Sequence, residues 1–385
     1  MVQRIPRFSA SRPFKIVFYA INGTGLGHLT RQLNIARALR KLLDQYGVPH
    51  QIEFLTTSDA DHLASDFLVT KLPSKTSYKQ RGLSVKQYNS RAKTLVSIYL
   101  AQLNPDWLVV DTAPQGAFNE ISFIREHCRF LALIDRDKDP EVANSRVIVK
   151  HKKLYDLIVA PELESDDPRA VCVGKVHGFD PDRALTKEQV RTHFSLQPEE
   201  RLIYLSAGGG GDETAGQSIQ QILEYFSNQQ NTRVLVGYGP LYKGDICYQP
   251  HVIPYQGGKI NRYFAGVDFA ISAAGYNSFE ELMAARVPTV FYAQAKGMDR
   301  QDLRALNGAN NGWNLFWQQQ PLTELLQQLE QNSEKICAAL ASRPEQRGAE
   351  KAAIEIIRQT ALRMPGEFRF IDQVNDQSLN DKEFA

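Results

Sequence analysis

The chain has 385 residues, a mass of 43.4 kDa and a formal net charge of +2. This length exceeds the size at which a single hydrophobic core stops growing, so we expect two domains. No apolar run reaches the roughly 18 residues of a membrane span, and the four cysteines lack the spacing of a zinc site or a disulfide framework. These features argue against an integral membrane protein and a disulfide-stapled secreted protein, and they predict a cytosolic one.

Strand-like apolar segments alternate with amphipathic segments along the chain, which is typical of parallel sheets flanked by helices. In the first half the predicted strands are 14–20, 52–55, 107–111, 130–134, 157–160 and 171–173. After a polar break at 178–182 they are 202–206, 234–236, 252–253, 269–272 and 290–292. We therefore predict an α/β fold of two Rossmann-like domains facing one cleft, over residues 1–178 and 179–364, followed by a polar tail at 365–385.

Two glycine-rich turns, each between a predicted strand and a helix, carry the functional signal. The first is Gly23-Thr24-Gly25-Leu26-Gly27-His28, the second is Ala273-Ala274-Gly275-Tyr276-Asn277-Ser278, and a Gly208-Gly209-Gly210-Gly211 run lies between them. Glycine lets backbone amides approach a ligand closely, and a helix N-terminus leaves amide donors unpaired. Each turn is therefore a candidate site for phosphate or hydroxyl groups.

Two common nucleotide-binding motifs do not fit these turns. A dinucleotide fingerprint needs a later third glycine than Gly27 and a carboxylate after the second strand, where this chain has Thr56-Thr57-Ser58. A P-loop would end in Gly-Lys-Ser or Gly-Lys-Thr, and neither glycine turn does. The sequence therefore disfavours both dinucleotide binding and P-loop phosphoryl transfer.

Taken together, the motifs of the two halves resemble those of a known family. They are Gly23-x-Gly25-Leu26-Gly27-His28-x-x-Arg31 in the first half, and Gly275-Tyr276-Asn277-Ser278-x-Glu280-Glu281 followed by Asp299-Arg300-Gln301 in the second. This pattern resembles the GT-B glycosyltransferases, and most of all their peptidoglycan N-acetylglucosaminyltransferase branch. The resemblance implies an acceptor site mainly in the first domain, a nucleotide-sugar site mainly in the second, and inverting transfer without a metal or other cofactor. The implied donor is a nucleotide diphosphate sugar, with uridine as the expected base.

The resemblance also assigns roles to residues of the donor site. Glu281 matches the carboxylate that accepts hydrogen bonds from the ribose hydroxyls, Asp299 and Gln301 match the pair that reads the donor sugar, and Tyr255 lies in the segment that holds uracil. The phosphate-binding amides and turns are expected at Gly25, Gly27, Gly208, Gly209, Gly210, Gly275, Tyr276, Asn277 and Ser278. From the residues alone, we expect Asn277 or Ser278 to cap the following helix, with Glu280 closing a capping box.

An inverting transfer needs a base on the acceptor hydroxyl. His28 is the first candidate, because it ends the first glycine turn at a helix N-terminus. Asp111 and Asp135 end predicted strands at the edge of the sheet that binds ligands in open α/β folds, so either could replace or orient His28. The alternative interpretation is structural: the histidine braces the turn, and the carboxylates cap helices or form turns.

A stretch without carboxylates, 67–105, follows in the first half. Its cations are interleaved with tyrosine and aliphatic residues; they are Lys71, Lys75, Lys79, Arg81, Lys86, Arg91 and Lys93. This pattern predicts contact with an anionic or lipid-linked acceptor or with the inner face of a membrane, rather than with nucleic acid. An ordinary solvated face is the alternative.

Two other functions stay open. A nucleotide-sugar 2-epimerase would share the two-domain architecture. The other is a non-catalytic nucleotide-sugar-binding protein. This alternative stays open because Ala273-Ala274 stands where many relatives carry a cation against the diphosphate, so one cationic contact is missing.

Overall fold

The computed structural model describes residues 4–21, 26–136, 138, 140–209, 215–294 and 299–372. Within these ranges the strands are β1 (Arg4–Phe8), β2 (Phe14–Ala20), β3 (His50–Thr56), β4 (Leu68–Lys71), β5 (Trp107–Asp111), β6 (Phe130–Ile134), β7 (Leu157–Ala160), β8 (Ala170–Cys172), β9 (Arg201–Ser206), β10 (Thr232–Gly237), β11 (Val252–Tyr255), β12 (Phe269–Ala273), β13 (Thr289–Tyr292), β14 (Leu315–Trp317) and β15 (Phe368–Asp372).

Helices connect these strands. They are α1 (Gly27–Gln45), α2 (Lys75–Gln80), α3 (Val85–Leu103), α4 (Ile121–Ile124), α5 (Pro140–Ala143), α6 (Arg146–Lys152), α7 (Lys187–His193), α8 (Ala215–Phe226), α9 (Tyr276–Ala284), α10 (Gln301–Asn310), α11 (Leu322–Ser342) and α12 (Gly348–Arg363). Among the described residues, no helix combines the length and apolar character that crossing a bilayer requires.

The chain forms two parallel sheets, one in each half. The first has the spatial order β4-β3-β2-β5-β6-β7-β8, and the second has the order β11-β10-β9-β12-β13-β14. In both sheets the order reverses beside the strand that comes first in that sheet, between β2 and β5 and between β9 and β12. Ligands bind at such reversals in open α/β sheets, beyond the carboxyl ends of the strands. The predicted α/β fold of two Rossmann-like domains is confirmed.

Each domain has its own apolar core, and the parallel strands supply much of it. Central strands such as β2 and β5 are apolar at almost every position and buried on both faces, as parallel strands covered by helices must be. Strand β4 was not predicted, because it is a short edge strand whose residues are exposed or half-buried. Strand order and helix cover together place the starts of α1 and α9 at one end of each sheet.

The end of the chain corrects the predicted domain boundaries. Helix α12 packs its buried face, Ala352, Ala353, Ile356 and Ile357, into the core of the first domain, not the second. Strand β15 then pairs antiparallel with β1, and the Phe368 ring packs against Phe8 and Phe14. The predicted tail is therefore wrong for residues 365–372. These residues were predicted to belong to the second domain, but their packing partner is α1 of the first domain.

Because Ile356 is buried in the core of the first domain, we expect Ile356→Ala to lower the free energy of unfolding by about 2–5 kcal/mol. Ile354, two residues away on the same helix, is 51% exposed, so Ile354→Ala should change stability by less than about 0.5 kcal/mol. Urea denaturation of both variants measures the difference. Equal losses would contradict the docking of α12.

Candidate functional site

Described residues beside the glycine-rich segments lie close together across the cleft between the domains. A Cβ atom built on Gly209 would lie 3.0 Å from Leu26 Cδ1, so Gly209 of the second domain lies against Leu26 of the first. Gly208 has a φ of +79°, which favours glycine over residues with a side chain. Gly27 begins α1 and faces open space. The predicted Gly25 and Gly210 lie outside the described residues.

His28 and Asp111 lie in contact at the strand-order reversal of the first sheet. His28 is the second residue of α1, Asp111 is the last residue of β5, and His28 Nδ1 lies 3.0 Å from Asp111 Oδ1. The Asp111 side chain is 1% exposed, whereas that of His28 is 27% exposed. The Asp111 carboxylate is therefore buried, and the His28 imidazole in front of it is accessible to solvent. A buried carboxylate orients a histidine base in this way in catalytic triads.

Arg31 holds the other side of Asp111. Its Nε and Nη2 atoms donate to the two carboxylate oxygens at 2.9 and 2.6 Å. Burial of the carboxyl opposes ionisation, but the Arg31 guanidinium and then His28 hold the pKa of Asp111 far below its usual range. Asp111 is therefore ionised at neutral pH and accepts hydrogen bonds only. The next residue, Thr112, has a φ of +66°, an uncommon conformation for a β-branched residue.

Asp135 lies in a different ion cluster. It follows β6 directly, and its carboxylate contacts Lys138 and Lys152. The structure thus brings together two of the three predicted catalytic residues and gives the third a separate role.

The N-terminus of α9 faces the cleft from the second domain. Gly275 is the N-cap residue, and the first intrahelical bond runs from Phe279 N to Gly275 O at 2.9 Å. The three preceding amides, those of Tyr276, Asn277 and Ser278, have no carbonyl one turn earlier in the helix and point beyond its end. The geometry of an anion cradle is therefore present at the predicted position.

The predicted capping box is wrong. Helix α9 has no side-chain cap, and Glu280 is instead buried and paired with Arg343, Nη2 to Oε2, at 2.7 Å. Glu280 lies on the buried face of α9, which packs against the rest of its domain. Its carboxylate therefore cannot reach back to the helix N-terminus.

Side chains at the start of α9 join the two domains. The Tyr276 hydroxyl accepts from Val176 N at 3.2 Å and donates to the Pro161 carbonyl at 3.3 Å. Asn277 Nδ2 donates to Thr30 Oγ1 on α1. The motif predicted that the backbone amides of Tyr276 and Asn277 bind phosphate. It did not predict that their side chains bond to the first domain.

Glu281 lies one turn further along α9 and is partly buried. It accepts a hydrogen bond from Gly178 N at 3.2 Å and another from the Asn261 side chain. Burial raises the pKa of Glu281 to about 7 despite these bonds. A carboxylate with unused acceptor capacity beside the cradle has the position and chemistry expected of a ribose ligand.

The two predicted sugar-reading residues interact with each other. Gln301 Nε2 donates to Asp299 Oδ2 at 3.3 Å, and Gln301 Oε1 accepts from Gln294 N at 3.1 Å. Burial opposes ionisation of Asp299, but Arg304 at 2.8 Å and Arg136 lower its pKa below the ordinary value. Gln301 lies near the cradle, since a Cβ on Gly275 would be 4.0 Å from its Nε2.

Tyr255 ends β11 at the edge of the second sheet. Its carbonyl accepts from Tyr238 N at 3.0 Å, and its ring packs edge-on against Tyr263. The neighbouring Gly258 faces the first domain, because a Cβ there would lie 2.5 Å from Leu63 Cδ2. Tyr255 therefore stands at the far end of the same cleft.

Sequence reasoning named His28, Arg31 and Asp111 but did not predict that Arg31 pairs with Asp111 or that Arg304 lies beside the cradle. His28 and Arg31 are three residues apart on one helix face, a spacing that could have predicted their shared partner Asp111. Arg304 lies near the position where relatives carry a cation, and its Nη1 donates to the Ala274 carbonyl at 2.5 Å. No sequence signal connects Arg304 with that carbonyl, because 30 residues separate them.

No family model matches the chain. The UDP-N-acetylglucosamine–N-acetylmuramyl-(pentapeptide) pyrophosphoryl-undecaprenol N-acetylglucosamine transferase of Mycolicibacterium vanbaalenii is 24% identical over 195 residues, which are 46% of this chain and 48% of that protein. The match thus spans about half the length of this curated relative. It confirms the predicted resemblance to this branch.

Solved structures share the overall architecture. The glycosyltransferase of kitacinnamycin has a TM-score of 0.63 at 15% identity, covering 90% of this chain and 99% of that one. A protein assigned as a UDP-N-acetylglucosamine 2-epimerase from Listeria monocytogenes has a TM-score of 0.58 at 11% identity, covering 92% of this chain and 97% of that one. The chain has the GT-B fold.

We expect Asp111→Asn to lower the free energy of unfolding by about 3–5 kcal/mol near neutral pH, because Arg31 loses its buried counter-ion. The folded-state pKa of Asp111 lies below its unfolded value of about 3.9. Its ionisation therefore stabilises the fold fully above that value, and this contribution is lost as the pH falls toward the folded-state pKa. Urea denaturation should show the difference between wild type and variant shrinking below about pH 4. A difference independent of pH would contradict this electrostatic role.

Proposed function

We propose that the protein is an inverting, metal-independent glycosyltransferase. It moves a sugar from a nucleotide diphosphate sugar, whose base is uracil, to an acceptor bound by the first domain. The observation that carries the proposal is the pairing of His28 with the buried Asp111, on the opposite wall of the cleft from the α9 cradle. A base and a diphosphate site on facing domains are what transfer between two substrates requires.

In the proposed reaction, His28 Nε2 takes the proton of the acceptor hydroxyl while Asp111 accepts the hydrogen bond from Nδ1–H. The acceptor oxygen forms a bond to the anomeric carbon as the bond from that carbon to the diphosphate oxygen breaks on the opposite face. The leaving diphosphate takes the electron pair, and the first-turn amides of α9 and the loop at Gly208 and Gly209 stabilise its charge.

The assignment of the donor predicts that UDP binds with or without a divalent-metal chelator. We expect Glu281→Ala to weaken UDP binding by about 1.5–3 kcal/mol, because two ribose hydroxyls lose a charged acceptor. The advantage of wild type over the variant should shrink below about pH 7, because protonation of Glu281 removes the acceptor charge.

Calorimetric titration measures both effects. Glu334→Ala, which removes an exposed glutamate from α11, is the matched control. Unchanged affinity in Glu281→Ala, or loss of binding with chelator, would overturn the assignment of this site.

If His28 is the base, His28→Ala should lower the turnover rate by about 10²–10⁴-fold while UDP affinity stays within about twofold. The rate is measured as UDP release in the presence of an acceptor identified by screening. The double variant with Asp111→Asn should lose little more than His28→Ala alone, because both residues act through one group.

Two outcomes would count against transfer by His28. Full activity of His28→Ala would move the base elsewhere. Release of an epimerised sugar without any acceptor would identify a 2-epimerase instead.

We further propose that the acceptor is anionic or lipid-linked and that the face formed by α3 and α4 contacts an anionic membrane surface. The apolar residues Leu95, Ile98 and Phe123 are 44%, 60% and 62% exposed there. Lys93 lies over the Phe123 ring, 4.7 Å from its centroid, and the exposed Arg91 is nearby on α3. Exposed apolar groups beside cations suit an interface with acidic lipids.

Flotation with vesicles containing anionic lipid tests this surface. We expect binding at low salt that weakens as salt is raised, and the double variant Ile98→Ser with Phe123→Ser should lose most of it. Leu362→Ser, at a residue 62% exposed on α12, is the matched control. If wild type stays unbound at low salt, this face is an ordinary solvated surface.

A further inference from the structure

A pocket of about 400 Å³ lies between the two domains, beside helix α9. Tyr276, Phe279 and Glu280 line it from that helix. At about 100° of rotation per residue, Phe279 and Glu280 lie within about 60° of Tyr276, whereas Ser278 and Glu281 lie about 140–160° away. On α9 the pocket therefore lies on the face away from Ser278 and Glu281, and it is reached by the side chain of Tyr276, whose backbone amide belongs to the cradle.

The lining of this pocket contains more cations than carboxylates. Two carboxylates line it, Glu162 and Glu280. Six cations line it, three from each domain: Arg136, Lys138 and Lys175 from the first, and Arg300, Arg304 and Arg343 from the second.

Nearby carboxylates neutralise this charge only in part. Asp299 is shared by the guanidinium groups of Arg136 and Arg304, at 3.5 and 2.8 Å. Asp135 is likewise shared by Lys138 and Lys152. The other three lining cations have one partner each: Lys175 pairs with Glu162, Arg343 with Glu280 and Arg300 with Asp302. The six lining cations therefore have five carboxylate partners, which leaves a small excess of positive charge at the pocket wall.

Two of these cations have lowered pKa values. Burial, followed by the charge of the nearby Arg31, lowers the pKa of Arg136, and burial lowers the pKa of Lys138. An anion placed between them would favour their charged forms.

The pocket has the size and the mixed lining of a small-molecule site. Its volume falls in the range of about 300–1,000 Å³ that ligand pockets occupy. Tyr276 and Trp313 supply aromatic surface, and the Arg343 guanidinium lies 4.9 Å from the Trp313 ring centroid. The lining therefore offers apolar contact as well as charge.

We propose that this interdomain pocket binds a small organic anion that carries phosphate or carboxylate groups, at a site separate from the nucleotide cradle. Guanidinium groups suit both kinds of oxyanion because they donate paired hydrogen bonds. Since the cations come from both domains, a bound anion would link them and stabilise their present arrangement. This inference goes beyond the proposed transfer reaction and does not depend on it.

Calorimetric titration of the whole protein with inorganic phosphate and with citrate, at matched ionic strength, tests the proposal. We expect saturable binding of at least one of the two, and the same binding in protein already saturated with UDP. Stronger binding of phosphate or of citrate identifies which oxyanion the site prefers.

Two variants locate the site, Lys138→Gln and Arg304→Gln. Each keeps the neighbouring carboxylate paired, because Asp135 retains Lys152 and Asp299 retains Arg136. Each should weaken anion binding by about tenfold or more. Lys150→Gln makes the same charge change at an exposed position on α6 outside the pocket and should leave binding within about twofold.

Three results would overturn the proposal: no saturable binding of either anion, displacement of the anion by UDP, or equal weakening in Lys150→Gln. Thermal unfolding of each variant checks that it folds, and either pocket variant suffices for the test. Because UDP binding is measured on the same samples, its failure would contradict the donor assignment and leave the anion site standing.

Discussion

The site depends on one buried ion pair, that between Arg31 and Asp111. Both side chains are 1% exposed, and the guanidinium donates to both carboxylate oxygens. The pair ties α1 to the end of β5 and so fixes His28 on the first turn of α1 against Asp111. A buried charge of either sign alone would be costly, so neither residue can be replaced without disturbing the other. The ion pair between Arg31 and Asp111 therefore helps to fix the position of the proposed base.

Helix α9 connects this base to the second domain. Its N-terminal amides face the cleft, its Tyr276 and Asn277 side chains bond to the first domain, and its Glu281 accepts from the linker at Gly178. A ligand that draws Glu281 toward a ribose would compete with that linker bond. Under the proposed donor assignment, nucleotide binding would therefore act on the bond between α9 and the linker.

Much of the fold could be predicted from the sequence, because apolar strands buried on both faces and amphipathic helices leave clear patterns. The placement of His28 at the start of α1 and of Asp111 at the end of β5 could also be predicted, since apolar strand runs and helix periodicity set these boundaries. Long-range pairing was not. The docking of α12 on the first domain, the pairing of Glu280 with Arg343 and the cation clusters around Asp135 and Asp299 join residues far apart in the chain or across elements. Local pattern carries no information on such partners.

The most direct test of this account is a crystal structure of the protein with UDP. The account predicts the diphosphate within about 2.7–3.2 Å of the first-turn amides of α9, the ribose hydroxyls on Glu281, and the His28 imidazole still bonded to Asp111 and facing the diphosphate across the cleft. A nucleotide bound elsewhere, or a His28 side chain turned away from the cleft, would contradict it.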